Sequence, residues 1–298
     1  VATVGTLQLG TGVSMSSPRS QQAAIFTNNT EFFTVDDAGR VGVGTITPNS
    51  DAHPENEKKI NVGFITAKSI AGDIDARNMV AAGVGTFISD ATFNSITIGK
   101  GANSVAGNTA LGESALDAAT TGGSNTAIGK DALGATTTGA SNVAVGSQAL
   151  DANTTGEENT AIGTDSLGGN TTGNRNTALG NDCLVSNTTA SDNTGVGHDV
   201  LKTNSTGANN TAVGRNSLSA NTTASNNTAV GRSALATNTT GTYNTALGAY
   251  TLSNQTTSNN NTAIGYYALD QNTTGTGNVA VGANALDTST TGAEQVAI

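Results

Sequence analysis

The sequence predicts an all-β protein: an elongated β-solenoid of 17-residue repeats, preceded by an N-terminal region of short β-strands. The first observation behind this fold class is an internal repeat that covers most of the chain. The second is the composition, because 50 of 298 residues are Thr, 38 are Gly and 35 are Asn, whereas aromatic residues make up only 3%. Such a composition suits a narrow β-structure with many turns and excludes the large apolar core of an ordinary globular enzyme.

The repeat starts at Asn108 and keeps a strict 17-residue period without insertion or deletion. Its general form is N-[TV]-A-[ILV]-G-x-x-x-L-x-x-x-[TS]-T-[GAS]-x-x, and Gly195 replaces the Ala once. Eleven complete units end at Glu294, and a twelfth begins at Gln295. The sequence therefore predicts three parts: an N-terminal β region over 1–50, a linker with short intertwined strands leading to a cap over 51–107, and the repeat solenoid over 108–298.

Each unit is predicted to form one turn of the solenoid from two short strands and two turns. The aliphatic fourth position and the Leu at the ninth position are predicted to form the core, and the Thr-Thr-Gly block a turn. The strand face that carries Asn, Ala and Gly is nearly bare, so the backbone of a partner chain is expected to approach it closely. A unit this thin buries little apolar surface, which predicts an oligomer whose Ala/Gly faces meet and in which Gly214→Val or Gly231→Val damages assembly.

The region before the repeat is also predicted to be β-rich. Val41 and Val43 alternate with glycines, which is typical of a strand with one bare face. The charged stretch 51–59 contains a Pro and predicts a linker or exposed loop. Short strands wound with other copies of the chain are expected over 60–99, with a short helix over 67–80 as an alternative, and Ser95–Gly99 is expected to cap the first unit.

The repeat resembles those of phage tail fibres, and it is similar to the head repeat of trimeric autotransporter adhesins. The segment Val35–Pro48, with its D-D-A-G-R-V-G-V-G-T pattern, also resembles a segment of phage tail-fibre proteins, and the stretches 60–67 and 83–89 look like fibre segments of cyanobacterial viruses. These resemblances imply an elongated trimeric β-solenoid or β-roll fibre. They imply a homotrimer on a virion surface, joined to other virion structural proteins at one end, that displays a tip outside these residues to a host receptor, expected to be a glycan.

No arrangement of residues predicts catalysis, so no catalytic, cofactor-binding or metal-binding residue is assigned. His53 and His198 are interpreted as solvated surface residues, and Cys183 as a small core residue. Gly42 and Gly44 form only a fragment of a phosphate-binding loop. The tenth repeat position is acidic in only four units, with Gly, Val, Lys, Ser or Ala in the others, and the calcium β-roll signature is missing; the four are Asp117, Asp151, Asp270 and Asp287. The N-x-T patterns at Asn153 and Asn187 are interpreted as turn residues that bond the backbone, in preference to glycosylation sites.

Charge and hydropathy narrow the choice of function. The net charge of −10 disfavours nucleic acid, and no apolar run is long enough for a membrane span. The predicted function is a structural fibre of a virus particle, with no enzymatic activity and no cofactor. The alternative is a binding protein that uses the repeat face directly, namely a bacterial surface trimeric adhesin; an ice-binding solenoid is disfavoured because the two Thr of the T-T pair cannot both face outward. The chain is also expected to be a segment of a longer polypeptide that continues the repeat.

Overall fold

A computed structural model gives the structure of residues 7–8, 13–16, 23–27, 30–35, 41–43, 91–93, 96–119 and 121–298. The chain divides into two compact units, Val1–Val80 and Ala81–Ile298. The domain boundaries predicted after residues 50 and 107 remain predictions. The predicted loop over 51–59 and the helix over 67–80 lie outside the described residues.

The first unit contains a five-stranded antiparallel sheet in which each strand pairs with the next along the chain. Its strands are β1 (Leu7–Gln8), β2 (Val13–Ser16), β3 (Ala23–Thr27), β4 (Thr30–Val35) and β5 (Val41–Val43). Strand β5 confirms the strand predicted from the alternation of Val and Gly. The winding with other copies of the chain that is predicted for short strands over 60–99 remains a prediction.

The second unit is a β-solenoid whose strands form one continuous 14-stranded sheet. It begins with the antiparallel hairpin of β6 (Ala91–Phe93) and β7 (Ile96–Gly99). Strand β7 pairs with the strand of the first repeat, with Ile98 opposite Leu111. The segment predicted to cap the repeat therefore does cover its first strand, but it runs antiparallel to the repeats.

After a 3₁₀ turn at Ala102–Ser104, every repeat contributes one short strand that pairs in parallel with the same positions of the next repeat. For example, Ala144 lies opposite Ala161, its equivalent one repeat further along the chain. The strands of the repeats are β8 (Thr109–Gly112), β9 (Thr126–Ile128), β10 (Val143–Val145), β11 (Thr160–Ile162), β12 (Thr177–Leu179), β13 (Thr194–Val196), β14 (Thr211–Val213), β15 (Thr228–Val230), β16 (Thr245–Leu247), β17 (Thr262–Ile264), β18 (Val279–Val281) and β19 (Val296–Ala297).

The prediction of two strands per repeat is wrong, because each coil has one strand and completes its path with turns. The cause lies at the seventh, ninth and seventeenth positions, which adopt left-handed backbone conformations in each of the eleven coils. Leu201, at the ninth position, has φ = 49°, and Asp199, at the seventh, has φ = 57°. A β-strand requires extended backbone angles, so a second strand cannot pass through these residues. The predicted turn at the Thr-Thr-Gly block is confirmed, since Thr137 and Thr138 lie in a bend.

The two faces of the repeat strand are the reverse of those predicted. The Ala at the third position, such as Ala144 and Ala212, is fully buried inside its own coil, whereas the aliphatic fourth position faces outward. The Leu at the ninth position is buried as predicted, with Leu133 and Leu218 fully shielded from solvent. A 17-residue coil encloses a narrow space, and once Leu enters it from one side only a small residue fits opposite. The prediction that the Ala faces meet partner chains is therefore wrong.

Two columns of Asn side chains occupy the remainder of the interior. At the first position, Asn142 accepts the backbone N–H of Asn159 through its Oδ1 (2.9 Å) and donates from Nδ2 to the Gly156 carbonyl (2.8 Å). At the twelfth position, Asn170 donates to the Oδ1 of Asn153 (3.0 Å) and to the Gly173 carbonyl (3.0 Å). Buried amides are tolerated because their polar atoms find partners, and each column links a coil to the next.

The Gly at the fifth position is required by two constraints together. Gly163 has φ = +135°, a conformation that side chains rarely allow, and a Cβ on it would lie 2.5 Å from the Gly180 carbonyl oxygen. Gly214 and Gly231 have φ of +115° and +139° and similarly close neighbours in the next coil. The damage predicted for Val at these two positions thus has a cause inside one chain, through coil stacking, as well as any effect on assembly.

Candidate functional site

An aliphatic stripe runs along the described repeats and is defined as the fourth-position residues on the outward face of the parallel sheet. Leu111, Leu179 and Leu247 are 41%, 43% and 47% exposed, and Ile128, Ile162 and Ile264 are exposed to a similar degree. The parallel register places each stripe residue beside that of the next coil, as Leu179 beside Val196. A column of Thr or Val at the second position runs next to the stripe. An apolar stripe of this length on an outer face is typical of a contact surface.

Charged side chains at the corners of the coils form ion pairs that join one coil to the next. Arg175 binds Asp192 with two hydrogen bonds of 2.7 and 3.0 Å, and the hydrogen bond to this guanidinium lowers the pKa of the Asp192 carboxyl. Lys130 binds Glu113 at 3.0 Å in the same way. Both pairs are solvent-exposed, so they add little stability and mainly keep the corner side chains ordered.

Cys183 is a core residue, as predicted. Its side chain is fully buried, and desolvation raises the pKa of the thiol to about 12. The Cys183 side chain faces Gly195 of the next coil. A Cβ atom added to Gly195 would lie 2.5 Å from the Cys183 Sγ and 3.3 Å from the Val200 Cγ1. The only repeat that lacks Ala at the third position is therefore the one in which larger neighbours fill that space.

The histidines and the acidic column do not form a site within the described residues. His198 is half-exposed, as predicted, and contacts Asp199 at 2.8 Å; His53 lies outside the described residues. Asp270 is buried and bonds to Ser253 and Gln271, while burial raises the pKa of the Asp151 carboxyl. In the part of the chain that the structure describes, no three His, Cys, Asp or Glu residues converge as metal ligands.

The N-x-T patterns at Asn153 and Asn187 belong to the twelfth-position Asn column. Asn153 and Asn187 are fully buried, and each donates to the carbonyl three residues later, at 3.1 and 3.0 Å. This confirms their interpretation as turn residues that bond the backbone, and a glycan on either amide is incompatible with the folded coil. Gly42 lies in strand β5, and Gly44 lies outside the described residues.

No protein-family model, no curated protein and no solved structure matches this chain. The resemblance to viral fibres and adhesin heads therefore remains an expectation that rests on the motifs quoted above. Across the residues that the structure describes, no apolar helix is long enough to cross a bilayer. The features that carry a functional argument are the uninterrupted coil stack and the aliphatic stripe along it.

Proposed function

We propose that this chain is a segment of a fibre shaft on a virus particle, assembled as a homotrimer through its aliphatic stripes. The supporting observation is the stripe itself, which follows the full length of the repeat sheet and lies on the outer face of each chain. Eleven coils at about 4.8 Å each give a rod of roughly 50 Å. The described coils carry no inserted loop that could build a separate site.

Burial of the stripe supplies a driving force for assembly. A large aliphatic side chain contributes about 2 kcal/mol when it is fully buried. In the single chain 41% of Leu111 is exposed, so burial of this part at an interface contributes roughly 0.8 kcal/mol to the free energy of association. A similar contribution recurs at each coil along the stack. A threefold axis parallel to the solenoids would hold equivalent coils of the three chains at the same height, with the stripe residues facing the axis. The number three comes from the resemblance to trimeric fibres.

Immunogold labelling tests the proposed location. An antibody raised against residues 108–298 should label projections on purified virus particles from the source. Antibody labelling of bacterial outer surfaces, while virus particles remain unlabelled, would overturn the viral assignment and favour the adhesin alternative.

We further propose that the chain has no catalytic activity and binds no cofactor. Hydrolysis of a host polysaccharide that maps to these residues would contradict this.

A further inference from the structure

The four Tyr residues of the chain all lie between residues 243 and 267, and three of them meet on one corner of the solenoid. Tyr250 and Tyr267 occupy the seventh position of successive coils and stack at 5.1 Å with an interplanar angle of 10°. Tyr266 stands nearly perpendicular to Tyr267, with ring centroids 4.3 Å apart, and remains 52% exposed. The half-exposed Tyr266 ring is held in place by contacts with Tyr250 and Tyr267, so it offers a rigid aromatic surface to a ligand.

Two arginines continue this cluster along the same corner. Arg215 and Arg232 occupy the sixth position of successive coils, and both are exposed. The Arg232 guanidinium lies 5.3 Å from the centre of the Tyr250 ring, which orders it by a cation–π contact. We call Arg215, Arg232, Tyr250, Tyr266 and Tyr267 the tyrosine ridge.

Within the described residues, neither guanidinium of the ridge is paired with a carboxylate. No ion pair engages Arg215 or Arg232 in the described part of the chain, whereas Arg175, Lys130 and Lys202 all have carboxylate partners. The charge of Arg215 acts on the Asp199 carboxylate, but that carboxylate is held by Lys202 at 2.7 Å. Two neighbouring guanidiniums without a carboxylate partner among the described residues are a local exception in a chain of net charge −10.

We propose that the tyrosine ridge binds an anionic saccharide. The sugar ring packs its C–H face on Tyr266, while a carboxylate or sulfate group of the same or a neighbouring sugar bonds to Arg232 and Arg215. Guanidinium groups suit these planar or multi-oxygen anions because they donate paired hydrogen bonds. Tyr266 lies two coils from Arg232, roughly 10 Å along the axis, so the ridge accommodates a short oligosaccharide laid parallel to the solenoid.

This inference goes beyond the proposed shaft function and does not depend on trimer formation. Tyr267 is tied to Tyr266 through its hydroxyl as well, and the hydrogen bond with Tyr266 raises the pKa of the Tyr267 hydroxyl. Because the chain has no Trp, its intrinsic fluorescence comes from its four Tyr, and three of these lie in the ridge.

Titration of the full chain with defined trisaccharides tests the proposal. The probes are a uronate trisaccharide, a sulfated trisaccharide and the neutral glucose trisaccharide, each followed by Tyr fluorescence and calorimetry. We expect at least one anionic probe to change the Tyr emission and to bind more weakly as salt rises. No binding of either anionic probe, or equal binding of the neutral one, would overturn the proposal. If inorganic phosphate binds as tightly as the anionic trisaccharide, the ridge recognises only the negative charge. That result would also overturn the proposal of a saccharide site.

Variants locate the binding. Tyr266→Ala is expected to weaken the anionic trisaccharide by about fivefold or more, and Arg215→Ala with Arg232→Ala by roughly tenfold or more. The matched control for the ring is Tyr243→Ala, which removes a Tyr that is 62% exposed and outside the ridge.

The matched control for the charges is Lys130→Ala with Arg175→Ala, which also removes two exposed cations. These control variants should bind like the unaltered chain. Equal losses in the ridge and control variants would assign the binding to general charge and contradict the site. Circular dichroism verifies that every variant is folded, and light scattering of the same samples reports assembly separately.

Discussion

Removal of one Asn from the first-position column should weaken the stack at a single, predictable place. Asn193 accepts the Asn210 backbone N–H through its Oδ1 (3.0 Å) and donates to the Gly207 carbonyl (2.9 Å). In Asn193→Ala the Gly207 carbonyl keeps a second donor, Asn204 at 2.9 Å, but the buried Asn210 N–H has no other partner. An orphaned buried donor costs about 1–3 kcal/mol, and the lost bonds about 1 kcal/mol more, so we expect a destabilisation of about 3 kcal/mol.

Two matched variants separate this effect from the general loss of an amide. Asn204→Ala, in the twelfth-position column, removes bonds to Asn187, Asn221 and Gly207 but orphans no backbone N–H, so about 1–2 kcal/mol is expected. Asn181→Ala removes an exposed amide bonded to a carbonyl at 3.2 Å and should cost about 0.5 kcal/mol or less.

Urea unfolding followed by circular dichroism gives the order of the three variants, and hydrogen exchange at the amide of residue 210 locates the weakness, since solenoids open locally. The amide of residue 210 should exchange faster only in Asn193→Ala. Equal midpoints for all three variants, with unchanged exchange at residue 210, would refute the proposed role of the column.

Three further predictions concern the interior. Gly195→Ala should destabilise the chain by about 1–3 kcal/mol by overpacking against Cys183, and most of that loss should disappear in a Cys183→Ala background; a loss of the same size in both backgrounds, measured by urea unfolding, would contradict the contact. Among the described residues, the Thr136 hydroxyl is the one buried side-chain polar group without a hydrogen-bond partner. Thr136→Asn extends the twelfth-position Asn column by one coil, to meet Asn153, and should raise the free energy of unfolding by about 1 kcal/mol. A lower urea midpoint than that of the unaltered chain would count against it. Burial raises the pKa of the Cys183 thiol to about 12, so iodoacetamide at pH 8 should leave the folded chain unmodified. The same reagent should label the chain that is unfolded in urea. Labelling of the folded chain at the rate seen in urea would disprove the burial of Cys183.

The strict 17-residue period predicts the coil length, the parallel in-register stacking and the buried Leu, because it leaves few other arrangements. It does not show which strand face points inward. The usual expectation that larger apolar residues are buried fails here, since the interior beside Leu133 has room for Ala127 but not for Ile128. The left-handed backbone conformation of each ninth-position Leu could not be predicted from the residue type, because Leu rarely adopts that conformation.

The tyrosine ridge was missed for a different reason, although the sequence held a signal for it. Tyr250 and Tyr267 lie one repeat apart, so the repeat register already places them in one column of adjacent coils. The sixth and seventh positions vary between repeats, which is typical of ordinary solvated surface. A position that varies along a solenoid is also where one local cluster can differ from all other coils, and the structure identifies that cluster through its ring stacking.

The mass of the assembled chain in solution, compared with that of a stripe variant, tests most directly whether the aliphatic stripe joins chains. Light scattering should give three times the chain mass of 29.3 kDa for the unaltered protein. Thr at six exposed stripe positions together should give folded single chains: Leu111, Ile128, Ile162, Leu179, Leu247 and Ile264. The control Tyr243→Thr, at another exposed position, should remain a trimer. A folded, stable single chain without any substitution, or a sixfold variant that still assembles, would contradict the stripe as the interface.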